Sequence, residues 1–251
     1  MRNQLLGVIA GGVCLAWCAT VRGGVYSTVT YSNDANSGVT TQYTYTHAID
    51  LGGDGATINN VTFVADSDGT RTAYHYDVSP SAVGDAGLDS LPMNSGVRDL
   101  TTQYVYDTTG EGLTLTLKNL TVGYTYTTTF YDIGSGNPGS QYTRVRDGDA
   151  VQYFYDENYN GNGNGTLLRD TFTATQTEYT YTFFRDTVDS NPGDPNTTSS
   201  TSTFFLYGFS NQVITPEPSP LTIFSLGLPI LLGYCQLRRR IVTSRKCPAV
   251  V

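Results

Sequence analysis

The sequence predicts an all-β body, an antiparallel β-sandwich of jelly-roll type, and three observations predict it. Tyr, Val, Leu and Phe alternate with Thr along many short runs, as in Leu113-Thr114-Leu115-Thr116-Leu117 and Tyr179-Thr180-Tyr181-Thr182-Phe183. A period of two sends one set of side chains to a core face of a strand and the other to solvent. Clusters of Gly, Asn and Asp separate the runs as turns, and no stretch of the body carries a helical stripe. About ten short strands in a body of roughly 190 residues fit one domain around a single core.

Taken in order, residues 1–23 read as a signal peptide. Arg2 precedes an apolar run from Leu5 to Trp17, which has the length of a signal h-region and is too short to span a membrane comfortably. Cys18, Ala19 and Thr20 follow as small residues and put cleavage near residues 18–24. Trp17 directly before Cys18 argues against a lipoprotein.

The body is residues 24–214. Strands are expected at 25–31, 42–46, 60–65, 72–78, 103–106, 113–117, 124–131, 151–155, 170–174, 179–184 and 203–209, where Thr, Tyr, Val and Phe favour a pleated, half-buried surface. Segment 186–203 is read as a polar inserted loop before the last strand. The stretch 113–131 resembles a strand, Gly turn, strand unit of bacterial extracellular sandwich domains, and Ile58-Asn59-Asn60-Val61-Thr62-Phe63 is similar to another.

Composition narrows the function. From Val25 to Ile214 there are seven Lys and Arg against 21 Asp and Glu, a formal charge of −14. Nucleic-acid binding needs the opposite sign. Cys14 and Cys18 lie in the leader and Cys235 and Cys247 in the tail, so the body has no disulfide framework, thiol nucleophile or thiolate metal site. His47 and His75 are the only histidines, no G-x-S-x-G or H-E-x-x-H motif exists, and each His reads as a packed or surface residue. Acid pairs such as Asp66 and Asp68, Asp147 and Asp149, or Asp156 and Glu157 have the residue types of a glycosidase, but 21 acids make such pairs by chance. The body is therefore read as non-catalytic.

Two binding readings stand beside that one. Asp156-Glu157-Asn158-Tyr159-Asn160-Gly161 matches the D-x-N-x-N-G opening of a calcium loop, with Asp156, Asn158 and Asn160 as ligands. Leu167 stands where such a loop ends in Glu, so Asp147, Asp149 or Asp170 would have to complete the shell. The plain alternative is a hairpin loop over Asn160 to Gly165. The 19 Tyr and ten Phe include Tyr153, Tyr155 and Tyr159 beside that loop. Exposed, such rings would serve polysaccharide recognition; turned inward, they would build the core.

The last segment is the most specific. Pro216-Glu217-Pro218 precedes an uncharged, mostly apolar stretch over 221–237, then Arg238-Arg239-Arg240. The stretch is about 25 Å of helix, near the lower limit for a transmembrane span, and the basic cluster would hold its far end in the cytoplasm. Motif, apolar helix and basic cluster in this order resemble the PEP-CTERM sorting signal, over 215–241, with 242–251 as a basic tail longer than the family usually carries. The resemblance implies recognition by an exosortase, a membrane-embedded protease, after passage through the secretion machinery. The expectation is an exported, non-catalytic cell-surface or matrix protein anchored transiently in the membrane; the alternative is a secreted carbohydrate-binding module supported by calcium.

Overall fold

The computed structural model describes residues 24–79, 82–85, 95–107, 112–133, 142–148, 152–156, 164–186 and 204–214. In chain order the elements are β1 (Val25–Tyr31), β2 (Thr44–Asp50), β3 (Ala56–Ile58), β4 (Val61–Ala65), α1 (Asp68–Tyr74), β5 (Tyr76–Ser79), β6 (Ala82–Asp85), α2 (Ser95–Leu100), β7 (Gln103–Tyr106), β8 (Leu113–Leu117), β9 (Thr125–Asp132), β10 (Tyr142–Arg146), β11 (Gln152–Asp156), β12 (Gly165–Thr173), β13 (Tyr179–Asp186), β14 (Phe205–Leu206) and β15 (Gly208–Ile214). They form a seven-stranded sheet, β1-β12-β9-β15-β2-β4-β3, a five-stranded sheet, β11-β10-β13-β8-β5, and a small sheet, β14-β7-β6. All pairings are antiparallel except β2 with β4.

The two large sheets pack face to face as a β-sandwich. Alternation in β8 buries Leu113, Leu115 and Leu117, and β13 buries Tyr179, Tyr181 and Phe183 beside them. Phe130 from β9 meets the rings of Tyr181 at 4.8 Å and Phe183 at 4.9 Å, both edge-on. Each such side chain contributes about 1.5–3 kcal/mol by leaving water.

A second apolar cluster lies on the other face of the seven-stranded sheet, where Tyr31, Ala48, Leu167 and Tyr131 meet Ile58 and Phe63 of the β3–β4 hairpin and Val97 and Leu100 of α2. Strand β9 is thus buried on both faces from Tyr126 onward. Its run Thr127-Thr128-Thr129, expected to alternate between core and solvent, lies between two cores instead.

Several boundaries correct the sequence reading. Residues 72–78 are not one strand: α1 occupies 68–74 and β5 starts at Tyr76. The cause is local capping. Ser67 Oγ accepts from the Thr70 N–H at 3.2 Å, and His75, at φ 57°, ends the helix in the left-handed region. The 113–131 unit is a strand, Gly turn and strand as read, with Gly123 (φ 86°) turning the chain, and its two strands, β8 and β9, belong to different sheets. Residues 160–163 lie outside the described residues; of the strands on either side, β11 pairs with β10, and β12 with β1 and β9. The last predicted strand divides at Tyr207 into β14 and β15, which join different sheets. Strands β3, β6 and β10 and helix α2 were not expected. Among the described residues no helix is long and apolar enough to cross a membrane, and segment 221–237 lies outside them.

Candidate functional site

The sorting motif Pro216, Glu217 and Pro218, the cluster Arg238, Arg239 and Arg240, and the calcium candidates Asn158 and Asn160 lie outside the described residues. Asp156 is the last residue of β11, where it pairs with Tyr142. Tyr153, half-buried in the same strand, stacks on Tyr26 with centroids 5.2 Å apart and planes at 11°. That ring is therefore packed across the sheets rather than laid open to a ligand.

The two histidines converge, but on a main-chain atom. His47 Nε2 lies 3.3 Å from the His75 carbonyl, and its Nδ1 lies 2.9 Å from Thr46 Oγ1. Burial pushes the His47 pKa down to about 4, so the ring is neutral at physiological pH and serves as a packed connector. Asp66 is also engaged structurally. Arg71 donates to it twice, from Nε at 2.9 Å and Nη2 at 2.6 Å, and the Tyr76 hydroxyl donates at 2.5 Å. Arg71 Nη1 further donates to the Val78 carbonyl on β5 at 3.2 Å, clamping α1 to the sheet edge.

Asp147 and Asp170, named as supplementary calcium ligands, are both buried and both act on Tyr26. Burial first, then these two carboxylates, pushes the Tyr26 phenol well above its usual range. Tyr181 donates to Asp170 Oδ2 at 2.9 Å.

The feature that sequence reasoning missed is an acidic groove of about 570 Å³ between the β3–β4 hairpin and α2. Asp54, Thr57, Thr62 and Asp99 are among the residues that line it, together with Phe63, Gly96 and the small residues Gly55 and Ala56. Below it the turn 51–55 closes over Asp50, whose Oδ2 accepts from the Gly55 N–H at 2.9 Å. Burial, outweighing that hydrogen bond, pushes the Asp50 pKa up to about 7, with Asp54, Asp99 and Asp66 acting in the same direction. The Asp-Leu-Gly-Gly-Asp-Gly sequence at 50–55 is the signal that marks this turn. Among the described residues no three His, Cys, Asp or Glu side chains converge closely enough to hold a metal ion. The groove offers carboxylates and hydroxyls for hydrogen bonding and no nucleophile–base pair.

No family model and no curated protein matches the chain. Among solved structures it is similar to the ANX1 ectodomain from Arabidopsis thaliana, at 13% identity and TM-score 0.48, over 70% of this chain and 52% of that one. The chain therefore spans about half the length of that ectodomain. A CBM22-1–GH10 portion of xylanase 10B from Clostridium thermocellum, complexed with xylohexaose, shows 11% identity, TM-score 0.32, and coverage of 57% and 26% respectively. The CBM22-1 xylan-binding domain of Paenibacillus barcinonensis Xyn10C shows 10% identity and TM-score 0.30, over 57% of this chain and 88% of its own. At these scores none of them assigns a function to this chain.

Proposed function

We propose that the chain is an exported, non-catalytic surface protein, delivered by the secretory route and sorted through residues 215–241. One structural relationship supports this reading: the first described strand starts at Val25 and the last, β15, ends at Ile214, two residues before Pro216. Cutting before Val25 or after Ile214 therefore removes no described strand. Asp66 is paired with Arg71, and the His47 ring lies against a backbone carbonyl.

The test is fractionation of cells expressing the full chain beside a variant with Pro216, Glu217 and Pro218 all changed to Ala, with intact mass of the surface material. Sorting predicts a wild-type product shortened near residue 216 and a variant retained full-length in membranes. Equal distribution of two uncleaved chains would reduce the tail to a simple anchor.

A second reading, polysaccharide binding, is favoured by the acidic groove, where Asp54, Asp99, Thr57 and Thr62 present oxygens suited to sugar hydroxyls. Glycan-array binding lost in Asp54→Ala and Asp99→Ala, with unchanged thermal stability, would carry it; no binding by the wild type would end it.

A further inference from the structure

Among the described residues the sandwich leaves one long strand edge unpaired. Strand β1 pairs residue by residue with β12 from Val25↔Thr171 to Tyr31↔Gly165 without a bulge, and no described strand lies on its other side. Five of its seven residues are exposed, with Val25 at 68% and Val29 at 42%. An edge of this kind presents unpaired N–H and C=O groups, and proteins ordinarily blunt it with charge, Pro, a bulge, shortness or a cover.

The other described edges of the two large sheets show such protection. The opposite edge of the same sheet, β3, has three residues and is covered by α2, whose Gly96 approaches the Thr57 carbonyl so closely that no Cβ would fit. The β5 edge has four residues, and its Val78 carbonyl is taken by Arg71. Strand β11 ends in Asp156. By contrast β1, Val-Tyr-Ser-Thr-Val-Thr-Tyr, contains no charge and no proline.

We infer that β1 is a self-association edge, pairing antiparallel with β1 of a second copy about a two-fold axis at Thr28. Charge selects this occupant. The body carries −14, so most approaches of two copies set acid against acid, whereas two neutral β1 strands meet without that repulsion. The strand is also self-complementary in length and pleat. With Thr28 opposite Thr28 of the partner subunit, all seven residues pair, Val29 falls opposite Ser27, and Val25 and Val29 gain cover on the same face. The strand is about 23 Å long, and such an edge covers less than the roughly 1,200 Å² of stable interfaces. The association is accordingly weak, and it joins two seven-stranded sheets into one. This inference does not depend on the sorting reading.

The experiment is sedimentation of the full chain in detergent over a wide concentration range, with T28K, T28E and their equimolar mixture. Thr28 is exposed, so both variants should keep the wild-type circular dichroism and thermal midpoint; V29K serves as a second probe if either does not. The expected result is a wild-type dimer that grows with concentration, at least tenfold weaker association in each variant alone, and recovery on mixing, because Lys then faces Glu. A wild type that stays monomeric, a T28K that dimerises like wild type through its apolar tail, or a mixture that fails to recover would each overturn the proposal.

Discussion

The Tyr181 hydroxyl on the five-stranded sheet donates to Asp170 Oδ2 on the seven-stranded sheet at 2.9 Å, and both residues are fully buried. Thr128 Oγ1 lies 3.1 Å from the same hydroxyl and donates to Asn211 Oδ1 at 2.9 Å; Asn211 Nδ2 donates to Thr46 Oγ1 at 2.7 Å, which meets His47. A polar chain thus crosses the apolar interior, where each bond is strengthened by the low dielectric. Burial, followed by the nearby Asp170 charge, pushes the Tyr181 phenol well above its ordinary value, so the donor stays protonated.

Tyr181→Phe keeps the ring packing and removes that donor. It should cost about 2 kcal/mol, the scale of a hydrogen bond to a charged group, read as a lower urea midpoint with an unchanged slope. A midpoint equal to wild type would show the bond to be dispensable.

Asp50 and His47 give stability two opposed dependences on pH. Asp50 has its folded pKa raised from 3.8 to about 7. Its favourable contribution is fully present below pH 3.8 and is lost as pH rises through 7. His47 has its folded pKa lowered from 6.5 to about 4. Its contribution is present above pH 6.5 and is lost as pH falls through 4. Between pH 4 and 6.5 the two slopes oppose each other. Asp50→Asn, which can still accept from Gly55, removes one of them. The melting temperature of Asp50→Asn minus that of wild type should rise from pH 4 to pH 7 and then level off. A flat difference would exclude Asp50 as the titrating group.

Two glycines separate steric from conformational cost. A Cβ on Gly165 would run into the ring of Tyr31, which is fully buried, so Gly165→Ala should destabilise by about 1–3 kcal/mol through overpacking. A Cβ on Gly123 meets nothing within 4 Å, and the cost there is its φ of 86° alone, about 1 kcal/mol. Chemical denaturation of both variants checks the order; a larger loss in Gly123→Ala would contradict it.

Arg71→Met should release both Asp66 and the β5 edge. The pair is partly shielded, with side chains 22% and 4% exposed, so a loss of about 2 kcal/mol is expected. Hydrogen exchange should show it as faster exchange in α1 and β5; uniform protection would mean that the clamp is incidental.

Much of the sandwich was legible because Thr and large apolar residues alternate cleanly. Strands β1 and β7 begin and end where the sequence placed them, β8 matches to the residue, and β13 differs only in running on to Asp186. What was not legible depends on tertiary context or on a single cap. Gly69-Thr70-Arg71-Thr72-Ala73-Tyr74 has strand-like composition, and only Ser67 before it and the left-handed His75 after it make it a helix. Pattern could not reveal that β9 has a core on each side, because Thr reads as solvent-facing. The acidic groove depends on Asp54 and Asp99, which lie 45 positions apart and meet only when α2 packs on β3. Its single local trace was the glycine-rich turn after Asp50.

The place of β15 has a mechanical consequence. It is an inner strand, held along seven residue pairs by β9 and six by β2, and it leads directly toward the tail. A load applied through residue 214 therefore shears two ladders at once instead of unzipping a border strand bond by bond. Tension applied at the end of β15 meets two ladders, and in single-molecule pulling β1, held by one ladder, should yield at lower force than β15.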